Sequence, residues 1–214
     1  MAALDHDSPS LPGSSVASIV TPQFFNGIIN QAGPNCPGKH FYTRRAILDA
    51  LRSYPRFGTT GSETTRKEGD GRLLRTCHTK DRTSTRTPIS LMRYKTNVQE
   101  TNEASHNYCD KSFPQYPCLS NKGYYGRGPL QIMWNFNYGS TGGSIRFDGL
   151  RAPETVAKDP VISFKTAFWF WMKNVHSIIT AGRGFRETIR AINDALSATG
   201  RTRGWSKRVR YYQD

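Results

Sequence analysis

The chain has 214 residues, of which 36% are hydrophobic, and a formal net charge of +14. This length allows one domain with a substantial core, and no apolar run approaches the roughly 18 residues of a membrane-spanning helix. The charge permits nucleic acid or a polyanionic surface as a partner. Since the basic residues are spread along most of the chain, we favour a generally basic surface and expect neither nucleic acid nor a membrane as a specific partner.

The N-terminal part is irregular. Residues 1–15 contain Ser, Pro and Gly without periodicity, which predicts a linker or tail before one domain at 16–214. The first residues have neither a basic nor an apolar region, so they do not form a signal peptide. The nine-residue spacing of Cys109 and Cys118 predicts a disulfide across a turn-rich loop and does not fit a zinc pattern. Because disulfides need an oxidising compartment, we expect that part of the natural N-terminus is missing.

Three helix starts are marked by capping residues. Thr21 precedes Pro22, Thr43 precedes a periodic segment, and Asp159 precedes Pro160. The apolar residues that follow the first two caps at helical spacing are Phe24, Phe25, Ile28, Ile29, Ala46, Ile47, Ala50 and Leu51. The third helix, over 161–172, is apolar on nearly all sides and is therefore predicted to be central and buried.

Two more helices are predicted further along. Residues 185–196 form a fourth helix with Ile189, Ile192 and Leu196 directed inward, and residues 205–212 form a fifth. No internal repeat is present. The predicted fold class is mainly α, with long turn-rich connections.

A glycine-rich aromatic run occupies residues 124–139, with the sequence YYGRGPLQIMWNFNYG. Its glycines and proline demand a tightly turned backbone beside flat apolar rings. Gln131, Asn135 and Asn137 alternate along the run, so an extended chain would direct their amides to one face. Rings with amides suit a sugar that carries N-acetyl groups, but glycines and aromatic residues serve packing equally well. The residues alone leave both interpretations open.

This run resembles the active-site segment of the family 19 glycoside hydrolases, the plant-type chitinases. Further segments resemble the class IV members of that family in the same order, and they are residues 16–26, 38–44, 57–61, 108–110, 159–167 and 189–193. The resemblance implies a lysozyme-like helical fold with a deep cleft. It also implies endo-hydrolysis of β-1,4-linked N-acetylglucosamine in chitin, with inversion and without a metal or other cofactor.

The resemblance assigns roles to individual residues. An inverting glycosidase uses a protonated carboxyl as acid and a carboxylate about 6.5–9.5 Å away as base. Glu100 matches the base, whereas Thr79 occupies the position of the general acid and cannot replace it. Met133 stands where the family carries a serine that helps hold water, and a thioether is only a weak acceptor. The expected sugar-binding or carboxylate-holding residues are Gln131, Trp134, Asn137, Lys165, Asn193 and Arg208.

The segment 69–97 departs from the family. The family has an apolar helix at this place, whereas this chain has a polar, arginine-rich stretch. We hypothesise a change of reading frame after Lys67 that is reversed near Val98, the alternative being divergence of an inserted loop. Since losing a core helix removes apolar burial, we expect residues 69–97 to be disordered.

The expected function is therefore a chitinase by descent whose activity is weak or lost. The alternative is a non-catalytic, lectin-like protein that binds chitin. A nucleic-acid binder is a third reading that rests on charge alone. We expect a monomer, and the resemblance further implies an extracellular or vacuolar location.

Overall fold

The structure is a computed structural model, and it describes residues 20–30, 32, 34, 36–57, 107–183, 187–188 and 190–192. The helices with defined bounds in this part of the chain are α1 Pro22–Ile29, α2 Pro37–Phe41, α3 Arg44–Leu51, α4 Asn135–Ile145, α5 Thr155–Lys158, α6 Pro160–Asn174 and α7 His176–Thr180. The described residues contain no strand beyond one isolated antiparallel bridge between Arg127 and Ile132. The prediction of a mainly α fold is confirmed.

The three predicted helix starts are confirmed by their capping bonds. The Thr21 and Thr43 hydroxyls each accept a hydrogen bond of 3.1 Å from the backbone N–H three residues on. The Asp159 carboxylate accepts two, of 2.8 and 3.0 Å, from the first turn of α6. Each cap satisfies helix donors that would otherwise lack a partner, which is typically worth about 1 kcal/mol.

Helix α6 is the centre of the core, as predicted. Its Phe164, Phe168, Phe170 and Trp171 are each at most 4% exposed. Tyr54 and Phe57, which follow α3, pack on Phe168 with ring centroids 5.8 and 4.9 Å away. Burial of each such ring contributes about 1.5–3 kcal/mol, so the contact between α3 and α6 stabilises the part of the fold that carries the candidate site.

The tightly turned backbone expected for residues 124–139 is present, whereas the extended stretch that would direct its amides to one face is not. The chain turns through the positive φ angles of Gly128 (75°), Gln131 (51°) and Trp134 (76°), and helix α4 then begins at Asn135. An extended strand cannot contain these angles. The amides therefore do not share one face: Asn135 and Asn137 are 0% and 7% exposed, and they bond to backbone groups because buried amides must be satisfied.

The remaining predicted elements are described only in part. Residues 187–188 and 190–192 are helical, and Ile192 is 5% exposed, as expected for the inward side of the predicted fourth helix. The other inward positions, the predicted helix at 205–212, the N-terminal linker and the segment 69–97 lie outside the described residues.

Candidate functional site

The turn before α4 is built by glycines. Arg127 and Ile132 exchange backbone hydrogen bonds of 3.2 and 2.9 Å, and the Gln131 amide Nε2 donates back to the Gly128 carbonyl at 2.9 Å. A Cβ on Gly126 would lie 2.9 Å from Oε1 and 3.2 Å from Cβ of Gln131, so any larger residue would displace the Gln131 side chain. Glycine therefore serves packing here, and this packing holds the Gln131 side chain against its own turn.

A buried arginine braces the same turn. Arg127 is 3% exposed, and its Nη1 donates to the Gly123 carbonyl and the Tyr138 hydroxyl, both at 2.9 Å. Its guanidinium carbon lies 3.6 Å from the centroid of the Tyr125 ring, in cation–π geometry. No carboxylate among the described residues pairs with it, and its Nε lacks a hydrogen-bond partner. The brace ties the turn to α4, and sequence reasoning did not single it out.

Four aromatic rings form a surface beside the turn, which we term the aromatic shelf: Tyr108, Phe113, Trp134 and Phe136. The Trp134 and Phe136 rings lie 13° from parallel with centroids 6.3 Å apart, and Phe113 stacks on Phe136 at 4.3 Å. Tyr108 meets Trp134 edge-on at 5.4 Å. All four residues are half-buried, so the shelf combines a fixed arrangement with a partly exposed apolar surface.

The loop that carries Phe113 is fixed at both ends. The predicted disulfide between Cys109 and Cys118 is present, with the two Cα atoms 5.9 Å apart. The buried Asn135 amide accepts from Asp110 N at 2.8 Å and donates to the carbonyls of Asp110 and Tyr116 at 3.0 and 2.6 Å. The loop is therefore attached to the start of α4, which also carries two rings of the aromatic shelf.

One turn of this loop has a perturbed carboxylate. The Ser112 hydroxyl and backbone N–H donate to Asp110 Oδ1 at 2.6 and 2.9 Å. These two bonds, the hydroxyl first, hold the pKa of Asp110 below its usual value because they favour the ionised form. The carboxylate thus shapes the loop next to Phe113.

Lys165 is placed on another side of α6 from the glycine turn. A Cβ on Gly128 would meet Ser163 Oγ at 3.1 Å, so Ser163 marks the side of α6 that faces the turn. Lys165 follows two residues later, about 200° around the helix, and lines a groove against α3. Of the expected sugar-binding residues, Gln131, Trp134 and Asn137 thus belong to one segment, and Lys165 to a separate surface.

Several expected residues lie outside the described part of the chain: Thr79, Glu100, Asn193 and Arg208. Their roles stay predictions. Within the described part, no group of three His, Cys, Asp or Glu side chains is placed to hold a metal ion. Among the described residues, none of the helices is both long enough and apolar enough to cross a membrane.

The chain is similar to known proteins over most of its length. The family model described as "Chitinase class I", of the family 19 glycoside hydrolases, matches residues 19–187. The chain is 50% identical to Endochitinase EP3 of Arabidopsis thaliana over 208 residues, which cover 96% of this chain and 71% of that relative. It is 47% identical to Chitinase 6 of Oryza sativa subsp. japonica over 208 residues, which cover 97% of this chain and 73% of that relative.

Solved structures show the same similarity. The class IV family 19 chitinase of Zea mays superposes with a TM-score of 0.72 at 42% identity, over 92% of this chain and 90% of that one. Chitinase C of Streptomyces griseus superposes with a TM-score of 0.70 at 30% identity, over 91% of this chain and 74% of that one. The chain therefore belongs to the family 19 glycoside hydrolases, the chitinases, and has their lysozyme-like helical fold.

Proposed function

We propose that this chain binds chitin oligosaccharides on the aromatic shelf and hydrolyses their β-1,4 linkages weakly or not at all. The observation that carries the proposal is the pair of nearly parallel, half-buried rings of Trp134 and Phe136. A sugar ring has an apolar face, and flat aromatic rings provide a matching surface at small entropic cost. The N-acetyl groups of chitin would find amide partners in the neighbouring turn around Gln131.

Backbone strain supports the location of this site. Five described residues other than glycine have positive φ, and three of them are Tyr108 (52°), Gln131 (51°) and Trp134 (76°). Bulky residues with such angles are uncommon and cost about 1–3 kcal/mol each, a strain that clusters at ligand-binding sites. Two of the three residues belong to the aromatic shelf, and the third lies in the turn before it.

The expected weakness of catalysis comes from the resemblance. In the inverting mechanism, Glu100 would activate the attacking water, while a protonated carboxyl would donate to the leaving oxygen. Thr79 stands at the position of that acid and has no proton of comparable acidity. Loss of a general acid costs about 10²–10⁴-fold in rate. We therefore expect the chain to bind chitin while hydrolysing it weakly or not at all.

The proposal extends to the organisation of the chain. Residues 16–214 would form the catalytic domain and residues 1–15 a linker, which the start of the family match at residue 19 supports. We propose a monomer in an extracellular or vacuolar location. The relatives reported above are named chitinases, and this supports descent from an enzyme over the lectin-like alternative.

Binding is tested by titration with a chitin hexasaccharide and by retention on insoluble chitin. Phe136→Leu keeps apolar volume but removes the flat ring, and Trp134→Ala removes the larger ring. We expect each variant to weaken binding by about tenfold, since aromatic anchors carry much of the binding energy. Phe24→Ala, a half-buried ring of α1, is the control. Absence of binding by the unmodified chain, or equal binding by all variants, would contradict the shelf as the binding site.

Catalysis is tested by restoring the acid. Thr79→Glu supplies a carboxyl, and Thr79→Gln supplies the same shape without an acidic proton. We expect Thr79→Glu to raise chitin hydrolysis by about 10²-fold or more over Thr79→Gln, measured as reducing ends released. If the two variants hydrolyse chitin equally, position 79 is not that of the general acid, whereas the binding result above stands independently.

A further inference from the structure

A groove between α3 and α6 is lined mainly by basic side chains. It has a volume of about 730 Å³, and Leu48 of α3 and Val161 of α6 are its apolar lining residues. We term it the basic groove. Its cations are Arg44, Arg45, Arg52 and Lys165.

The positive charge of the basic groove is only partly compensated. Asp49 is the one carboxylate among the described lining residues, and it lies 3.7 Å from Arg45 and 3.6 Å from Arg52. Arg44 donates to the Val20 carbonyl at 2.6 Å. No carboxylate of a described residue pairs with Arg44 or Lys165. The four cations and one carboxylate among the described lining residues carry a charge of +3, which a concave surface concentrates.

Two of these arginines, Arg44 and Arg45, are not placed to complement the dipole of their helix. Arg44 and Arg45 occupy the first turn of α3, which contains no acidic residue. The N-terminus of a helix carries partial positive charge, so cations there are unfavourable. Arg45 is 93% exposed and Arg52 67% exposed, so both can reach a ligand. The arrangement is instead suited to binding an anion.

We propose that the basic groove binds an acidic polysaccharide, one that carries uronate carboxylates. The planar guanidinium group of arginine can donate two parallel hydrogen bonds to one carboxylate. Arg44 and Arg52 stand about 12 Å apart along α3, so the cations form a row that suits a linear polyanion. The apolar residues of the groove suit the sugar rings between the carboxylates. The ligand differs from chitin, which is uncharged, so this proposal goes beyond the proposed function.

The lining of the basic groove favours a saccharide over a nucleic acid. Proteins that bind single-stranded nucleic acids combine cations with aromatic rings on which the bases stack. The groove has the cations, but none of its described lining residues is aromatic. An acidic sugar polymer does not need such a ring, whereas a nucleic acid could contact this groove through its phosphates but could not stack its bases there.

The experiment titrates the full chain with an oligogalacturonate at low and at physiological salt. A matched pair of variants separates the groove from general surface charge. Arg45 Nε lies 3.7 Å from Asp49 Oδ2, and Arg151 Nε lies 3.7 Å from Asp148 Oδ2, with the two arginine side chains 93% and 82% exposed. Arg45→Gln and Arg151→Gln therefore remove equivalent charges from the groove and from a site elsewhere. Lys165→Gln removes a charge from the α6 side of the basic groove.

We expect Arg45→Gln to weaken oligogalacturonate binding by about twofold to fivefold, as for one exposed ion pair. The Arg45→Gln, Lys165→Gln double variant should lose about tenfold, while oligogalacturonate binding by Arg151→Gln and chitin retention by Arg45→Gln stay unchanged. The proposal is overturned if the unmodified chain shows no saturable binding, or if Arg151→Gln weakens it equally. Tighter binding of a single-stranded DNA of equal charge, lost in the same variants, would assign the groove to nucleic acid instead.

Discussion

Asn135 offers the sharpest test of how the aromatic shelf is held. Replacing it by aspartate changes only the amide nitrogen to an oxygen, so shape is preserved. The bonds of 3.0 and 2.6 Å to the carbonyls of Asp110 and Tyr116 are lost, while the bond from Asp110 N is kept. At 0% exposure, no water replaces the lost donors.

The magnitude follows from these two bonds. Each net hydrogen bond is worth about 0.5–1.5 kcal/mol, and each buried carbonyl left without a donor costs about 1–3 kcal/mol. We therefore expect Asn135→Asp to lower the free energy of unfolding by about 3–5 kcal/mol, a large share of a typical total of about 5–15 kcal/mol. Chitin retention should fall as well, because the loop that carries Phe113 loses its attachment to α4.

The effect should depend on pH. Burial and the two facing carbonyls raise the pKa of the new carboxyl in the folded state above its unfolded value. The protonated form can donate to one carbonyl, so the destabilisation is largest above the folded pKa and is partly relieved as pH falls. Urea unfolding followed by tryptophan fluorescence at neutral and acidic pH measures both quantities.

The control is Asn121→Asp, on an exposed residue at φ 62°, where both side chains are tolerated. Its stability should change by less than about 0.5 kcal/mol. If Asn135→Asp is as stable as this control, the amide bonds do not hold the loop. A loss of stability that is the same at both pH values would refute the reasoning about the buried carboxylate.

Three further predictions concern the described surroundings of the site. Gly143→Ala should stabilise α4 by about 0.5–1 kcal/mol, because no atom lies within 4 Å of the added Cβ. Gly142→Ala should instead destabilise the protein by about 1–3 kcal/mol, because its Cβ would meet backbone atoms at 2.6 and 2.7 Å. Thermal unfolding compares the two, and equal shifts would contradict the packing. Ser112→Ala should raise the pKa of Asp110, followed by NMR titration, because it removes the hydroxyl bond that lowers that pKa; an unchanged titration would refute this. Burial lowers the pKa of His176 from 6.5. The contribution of the neutral imidazole to folding stability should therefore be lost as the pH falls from about 6.5 through the folded-state pKa. His176→Gln should remove this pH dependence from the free energy of unfolding measured with urea.

Local signals determined much of the fold. The capping residues bond to backbone groups two or three positions away, so they can be identified from the sequence without any tertiary information. The near-continuous apolar character of α6 likewise indicated a buried helix. The short helices α2, α5 and α7, with 4–5 residues each, were not predicted because one turn carries no periodic pattern.

The resemblance identified the family from the run at 124–139, but tertiary structure decided what most of its side chains do. The amides of Asn135 and Asn137 suggested sugar contacts, and the tertiary structure adds that each donates a hydrogen bond to a backbone carbonyl. Arg127 stood in the same run without a sign of its role as a buried brace. Phe113 stacks on Phe136 only because the disulfide loop folds over this ring.

The difference has a physical cause. A helix cap or a hydrophobic period depends on neighbours within a few positions, and the sequence by itself determined those. The bonds that shape the site join Asn135 to residues 19 and 25 positions away, and Tyr54 to a carbonyl 111 positions away. Likewise, the basic groove exists because α3 and α6 pack side by side. Such partners are selected by the packing of the whole core, so only the tertiary structure decided them.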